Sequence, residues 1–285
     1  MQPPREKRLS GNRLHLSHGP IDLIISAEGD REAAFSAATD RFQTILTELV
    51  AELPRLRQPL GATPFSGPTA RRMASAIRPH TDVFVTPMAA VAGSVADEIL
   101  AAMTGAATLT RAAVNNGGDI ALHLASGQNF TLAMASADAH DLGRIDIRAE
   151  DDIHGIATSG RHGRSHSLGI ADSVTVLAST AAAADAAATL IANAVDLPGH
   201  PGITRAPANS LSPDSDLGDR LVTIEVANLT PSDISAALDA GEAAARKMHA
   251  ASLIRGAALF LAGQNRILGE TLTRSADEMP YVLPT

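Results

Sequence analysis

The chain has no cysteine and no tryptophan among its 285 residues, a single tyrosine, and only 2% aromatic side chains. Without cysteine there is no disulfide framework, no thiolate metal site and no cysteine nucleophile. Such a composition suits the cytoplasm, which is the expected compartment. Scarce aromatics leave Ala, Leu, Ile and Val to build the core, and remove the stacking platforms that single-stranded nucleic acid needs. Basic charge is in deficit too. The formal net charge is −8, and the one basic cluster is the N-terminal MQPPREKRLSGNR, so no nucleic-acid partner is expected. No apolar run approaches the roughly eighteen residues of a membrane span, and no apolar segment of a signal peptide follows the N-terminal charges. Neither a span nor an export signal is therefore expected.

The 45% hydrophobic content is that of an ordinary globular chain. Residues 1–20 read as a basic N-terminal tail and 21–285 as one domain. RLHL and IDLIIS read as short strands of a hairpin around Gly19-Pro20. In DREAAFSAATDRFQTILTELVAEL, the spacing of Ala34, Phe35, Ala38, Phe42, Ile45, Leu46 and Leu49 predicts an amphipathic helix. GPTARRMASAIRP predicts a short helix, VFVT a short strand, and AAVAGSVADEILAAMTG a helix rich in small residues. TRAAVNNGGDIALHLA, NFTLAMAS, GRIDIRAE, HGIATSG and SVTVLAS follow as successive strands. STAAAADAAATLIANAV is a helix, residues 198–218 a Pro/Gly/Ser surface loop, LVTIEVANL a strand, and PSDISAALDAGEAAARKMHAASLIRGAALFLAG one long helical region. Strands clustered in the middle, with helices before and after, specify an α+β fold with a central, mostly antiparallel sheet flanked by helices.

Three segments could carry chemistry. In ADAAATLIAN, Asp185, Thr189 and Asn193 recur at spacing four and form one polar stripe on a small apolar helix. A carboxylate and a hydroxyl on adjacent turns are hard oxygen donors of the kind that hold Mg²⁺, with water or phosphate completing the shell. The competing reading is a capping aspartate and a threonine bonded back to its own helix. In NNGGDI, Gly117 and Gly118 allow positive torsions that expose amides to a phosphate, while Asp119 faces a ligand; a plain hairpin turn uses the same residues. In GIATSGRHGRSHSLGIADS, the hydroxyl and guanidinium donors of Ser159, Gly160, Arg161, Arg164, Ser165 and Ser167 suit an anionic ligand, or a solvated loop, and Asp172 adds an acid. Zinc on His154, His162 and His166 is disfavoured, because histidines four apart face one another only on a helix and the glycines here oppose one.

In their order, AAVAGSVADEI, NNGGDI, TSG, and ADAAAT followed by Asn193 resemble the FAD:protein FMN transferase (ApbE-like) superfamily, closest to its uncharacterised branch. The likeness covers roughly Ile21 to Val195. It implies a T-fold-like α+β architecture and a possible transferase activity. It also implies Mg²⁺ beside a flavin pyrophosphate at Asp185 and Thr189, and a nucleotide site at Gly117, Gly118 and Asp119. Ala92 stands where the transferases carry a lysine, and Asp172 is the one candidate for the acid of their His-His…Asp-Pro…Thr-Gly stretch. Catalytic candidates are thus Asp119 and Asp172. Ligand-binding candidates are Gly117, Gly118, Asp119, Ser159, Gly160, Ser165 and Ser167; metal candidates are Asp185 and Thr189. Three functions stay open: a protein that binds a phosphate-containing small molecule, flavin or nucleotide, with Mg²⁺; an FAD-dependent FMN transferase; and a catalytically silent interaction protein. A second copy of the chain is the candidate protein partner.

Overall fold

Alternation along the strands decides the architecture, because side chains two apart share a face. The computed structural model describes residues 3–135, 141–163, 165–269 and 271–273. Along β2 (Arg13–His18) and β3 (Ile21–Gly29), every second residue is buried, and Gly19 turns between them with φ of 57°. β4 (Leu109–Asn116) alternates over most of its length and joins β5 (Asp119–Leu124), where Ala121 and Leu122 are both buried, around Gly117 and Gly118, whose φ values of 68° and 113° suit a two-residue hairpin. With β1 (Arg5–Leu9), β8 (Gly155–Ser159), β9 (Ser173–Ala178), β12 (Gly256–Leu261) and β13 (Gln264–Leu268) they form a nine-stranded sheet, ordered β1-β2-β3-β4-β5-β8-β9-β12-β13. Each neighbouring pair is antiparallel.

Helices cover one face. α1 (Arg31–Leu56) buries Ala34, Phe35, Ala38, Phe42, Ile45, Leu46 and Leu49, the stripe expected from spacing. It shares a core with α3 (Val91–Ala106) and with Leu14, Leu23, Ile25 and Val114 of the sheet. α2 (Pro68–Ile77) packs beside them. Farther along the sheet, α4 (Ala181–Ala194) and α6 (Pro231–Ala250) bury Val174, Val176, Ala257 and Leu259. The alternate residues Leu122, Leu177, Ala258 and Phe260 point to the opposite face. There they meet Ile145, Ile147 and Leu272 of a small sheet ordered β14 (Leu272–Thr273), β7 (Asp141–Arg148), β6 (Asn129–Ala135).

Five expectations need correction. The basic tail is not wholly outside the fold: Arg5–Leu9 pairs with β2, since its alternating backbone partners need no buried side chain. VFVT is not a strand; it leads into a 3-10 turn, Pro87–Ala90, whose proline would interrupt a ladder. The helical region ends with α6 at Ala250, and GAALFL is the interior strand β12, buried along its whole length. A short apolar run buried on both faces reads the same as a core helix. The 198–218 loop contains β10 (Ile203–Pro207) and a short helix α5 (Ala208–Leu211), and β10 pairs with β11 (Leu221–Val226) apart from the main sheet. Finally, Pro87–Ala106 is long and apolar enough by composition to cross a membrane. It is a core helix here, carrying Glu98 between two arginines and burying Val95, Ile99 and Met103. Ser136, Arg164 and residues 274–285 lie outside the described residues.

Candidate functional site

Two carboxylates tie the starts of α3 and α4 together. Asp97, on α3, accepts from the first N–H groups of α4, Ala181 at 3.0 Å and Ala182 at 2.9 Å. Asp185, one turn into α4, accepts from Gly93 N–H at the start of α3 at 3.0 Å. Each acid therefore satisfies amides that its partner helix leaves open, and its charge meets the positive end of that helix's dipole. Gly93 makes the crossing possible, because a Cβ there would overlap the Ala181 carbonyl. Asn116 of β4 holds the same end of α3 to the sheet, donating from Nδ2 to the Ala92 carbonyl at 3.1 Å. The cap of α4 itself is Thr180, whose Oγ1 accepts from Ala183 N–H at 3.1 Å.

Asp185 is a high-energy carboxylate. Burial pushes its pKa well above the usual carboxylate range, Asp119 pushes it further, and the N–H groups of Gly93 and Ala92 pull part of the way back. Asp97 is raised as well, by burial first, against the opposing N–H groups of α4. Thr189 lies one turn beyond Asp185, and its hydroxyl makes no hydrogen bond among the described residues. It does not bond back to its helix as Thr104 does to the Leu100 carbonyl.

Beside the β4–β5 turn is a cavity of about 390 Å³. Gly117, Gly118, Ser159, Gly160 and Asp172 all line it, so two of the three polar segments converge. Asp119, Asp185 and Thr189 do not line it; Asp119, at the end of the turn, interacts with Asp185 through its charge. Ile120, Leu132, Ile145 and Ile156 supply an apolar wall, and Thr158 and Thr175, hydrogen-bonded at 2.9 Å, supply hydroxyls. Within the turn, Gly118 N–H donates to Asn115 Oδ1 at 2.8 Å.

Ser165 and Ser167 do not reach the cavity. Ser165 is exposed, while Ser167 is buried and its Oγ accepts from Gly169 N–H at 3.2 Å. Their stretch is clasped from outside, by Thr223 N–H on the Ser167 carbonyl at 2.9 Å and by Leu168 N–H on Asn193 Oδ1 at 3.0 Å. Asn193 thus serves loop docking, not the Asp185 stripe. Asp172 accepts from Arg161 at 2.9 and 2.6 Å and from Ala262 N–H at 2.6 Å, with His162 Nε2 at 3.3 Å. Its oxygens are committed to fixing the loop. His154, His162 and His166 go to different partners, Asp152, Asp172 and Ser212. No group of three His, Asp or Glu able to hold a metal occurs among the described residues.

The family described as "AbpE bacteria" matches residues 5–267. The chain belongs to the bacterial AbpE family. A UPF0280 protein of Methanopyrus kandleri is 34% identical over 177 residues, 60% of this chain and 69% of the relative. A UPF0280 protein of Methanothermobacter thermautotrophicus is 37% identical over 134 residues, covering 46% of this chain and half, 50%, of its own length. The ApbE protein of Thermotoga maritima superposes with a TM-score of 0.52 at 11% identity, over 94% of this chain and 98% of that one, which establishes the shared fold alone. In this AbpE-family chain, Asp97 is not singled out by pattern, and His162 is marked by its spacing only as a disfavoured zinc ligand. AGSVADEI does show an acid four residues after a glycine, but nothing in a sequence says which helix end that acid will meet.

Proposed function

We propose that the chain binds a phosphate-containing ligand, a flavin or a nucleotide, together with Mg²⁺ held by Asp185 and Thr189. The observation that carries this is the placing of Asp185 in a desolvated position beside a second carboxylate, Asp119, with the unpartnered Thr189 hydroxyl one turn away. The donor set is that of a hard divalent cation: Asp185 offers a carboxylate that the Gly93 and Ala92 N–H groups orient, and a cation would relieve the repulsion between the acids. Bound Mg²⁺ would supply charge neutralisation for phosphate oxygens. The chain's own residues would do the rest. Gly117 and Gly118 let ligand approach the backbone closely, Ser159 and Gly160 form the facing wall, and the isoleucines exclude water from one side. Asp119 is the candidate for contact with the reacting end. The family resemblance favours a flavin, while Ala92 offers no cation at the start of α3 for a transferase-type contact.

A second reading rests on the helix clasp. Asp185 already caps α3, so a protein that keeps these residues for folding and acts through interactions would show the same geometry. Asp185→Asn separates the two. Calorimetry with FAD, FMN and ATP, with and without Mg²⁺, should show divalent-dependent binding that falls at least about tenfold in the variant. Thermal stability should be unchanged or higher, since Asn caps as well as Asp and carries no buried charge. Unchanged binding, or no divalent-dependent binding by the parent, overturns the proposal in favour of the interaction protein. Visible absorbance and mass spectrometry of the freshly purified chain would identify a retained flavin directly.

A further inference from the structure

A second and larger cavity, about 550 Å³, lies where the β1–β2 turn, the start of α1 and the start of β6 meet. Its size is in the range of small-molecule sites. Two guanidiniums, Arg31 and Arg111, line it against one carboxylate, Glu28, which leaves a net positive lining in a chain of formal charge −8. The two arginines differ in state. Arg111 is committed: it donates to Glu28 at 2.9 and 2.5 Å and lies 5.8 Å from the Phe130 ring centre. Arg31 is fixed at its base, where Nε donates to the Ala27 carbonyl at 2.8 Å, while its two terminal nitrogens make no hydrogen bond among the described residues. That places a pre-oriented donor fork in the cavity with no hydrogen-bond partner, near the Glu28 carboxylate that Arg111 holds. The side chains of Asn12, Ser26 and Asn129, which also line the cavity, make no hydrogen bond there either. Arg31 is moreover the first residue of α1, where the helix dipole disfavours a cation. The Ala27 bond and the attraction to Glu28 account for where its base lies, and leave its terminal nitrogens without a hydrogen bond among the described residues.

We propose that this cavity is a binding site for a small oxyanion, a carboxylate or a phosphate monoester, gripped by the Arg31 fork and flanked by Asn12, Ser26 and Asn129. A planar fork matches the two oxygens of such a group. The site is separate from the Asp185 half-site and needs no metal. It adjoins the first cavity along β6, with Phe130 and Thr131 in one wall and Leu132 and Ala133 in the other.

The test is calorimetry on the full chain in metal-free buffer at fixed ionic strength, with inorganic phosphate and succinate as probes. At least one should bind, with affinity reduced tenfold or more in Arg31→Gln and to a lesser degree in Arg31→Lys, which keeps the charge and loses the fork. Phosphate alone binding assigns a phosphate ester, succinate alone a carboxylate. The effective probe should raise the melting temperature of the parent and not that of Arg31→Gln. If Arg31→Gln fails to fold, the Arg31→Lys comparison decides. Absence of binding by both probes, equal binding by the variants, or binding that appears only when Mg²⁺ is added would overturn the assignment. None of the first two results bears on the Asp185 proposal, which is read only with divalent cation present.

Discussion

Glu98 is 8% exposed and sits between two guanidiniums, Arg72 at 2.7 Å and Arg41 at 2.9 Å. Burial opposes its ionisation, yet the hydrogen bonds from Arg72 and Arg41 outweigh burial and hold its pKa below the ordinary 4.5. A carboxylate with a depressed folded-state pKa contributes stability above the unfolded value, and that contribution is lost as pH falls through the folded one. Glu98→Gln should therefore cost about 3 kcal/mol at pH 7, the lower end for breaking a buried pair because Arg72 is partly solvated. The difference from the parent should shrink at acidic pH. Urea unfolding between pH 3 and 7 reads this directly, and a pH-independent difference would mean the pair contributes little. Asp97 carries the opposite sign: its raised pKa makes its contribution greatest below the ordinary 3.8 and smaller as pH rises through the folded value.

At the scale of elements, the α3–α4 crossing is one of the close backbone contacts near the site. Gly93→Ala would drive a methyl into the Ala181 carbonyl, so the helices must separate. The expected cost is about 2–3 kcal/mol, as for overpacking elsewhere, and denaturant midpoints check it. Because separation also withdraws Gly93 N–H from Asp185, divalent-dependent ligand binding should weaken with it. Thr180→Ala, which loses only a local cap, should cost about 1 kcal/mol and leave binding unchanged. The polar stripe of α4 was legible from spacing alone; its division into Asp185 facing α3 and Asn193 holding Leu168 was not. The same limit applies to β12, whose burial on both faces erased the alternation that marks a strand.

For the whole molecule, the ends of the nine-stranded sheet matter most. β1 forms one edge, and its sequence REKRL is charged and exposed, the usual protection against edge-to-edge pairing. Removing residues 1–9 would expose the alternating edge of β2, with Leu14 and Leu16 on its buried face. The shortened chain should melt within a few degrees of the parent, because β1 buries almost nothing, but should self-associate. Light scattering after size-exclusion chromatography would show this, and an unchanged molar mass would refute a guarding role for β1.

The α+β class, the apolar stripe of α1, the β4–β5 hairpin and the chemical character of the NNGGDI and ADAAAT segments were fixed by the sequence itself, because period, turn chemistry and donor type are local properties. Tertiary structure alone decided which of these segments share a place. Gly117, Gly118, Ser159 and Gly160 meet because β4, β5, β8 and β9 lie near one another in a single sheet. Asp185 comes within electrostatic reach of Asp119 because α4 packs against β5. Ser167 is drawn out of the cavity because Thr223 of β11 claims its carbonyl and Asn193 holds the next residue, Leu168. Such pairings join residues far apart in the chain, and their energy lies in packing and desolvation, which no local pattern records.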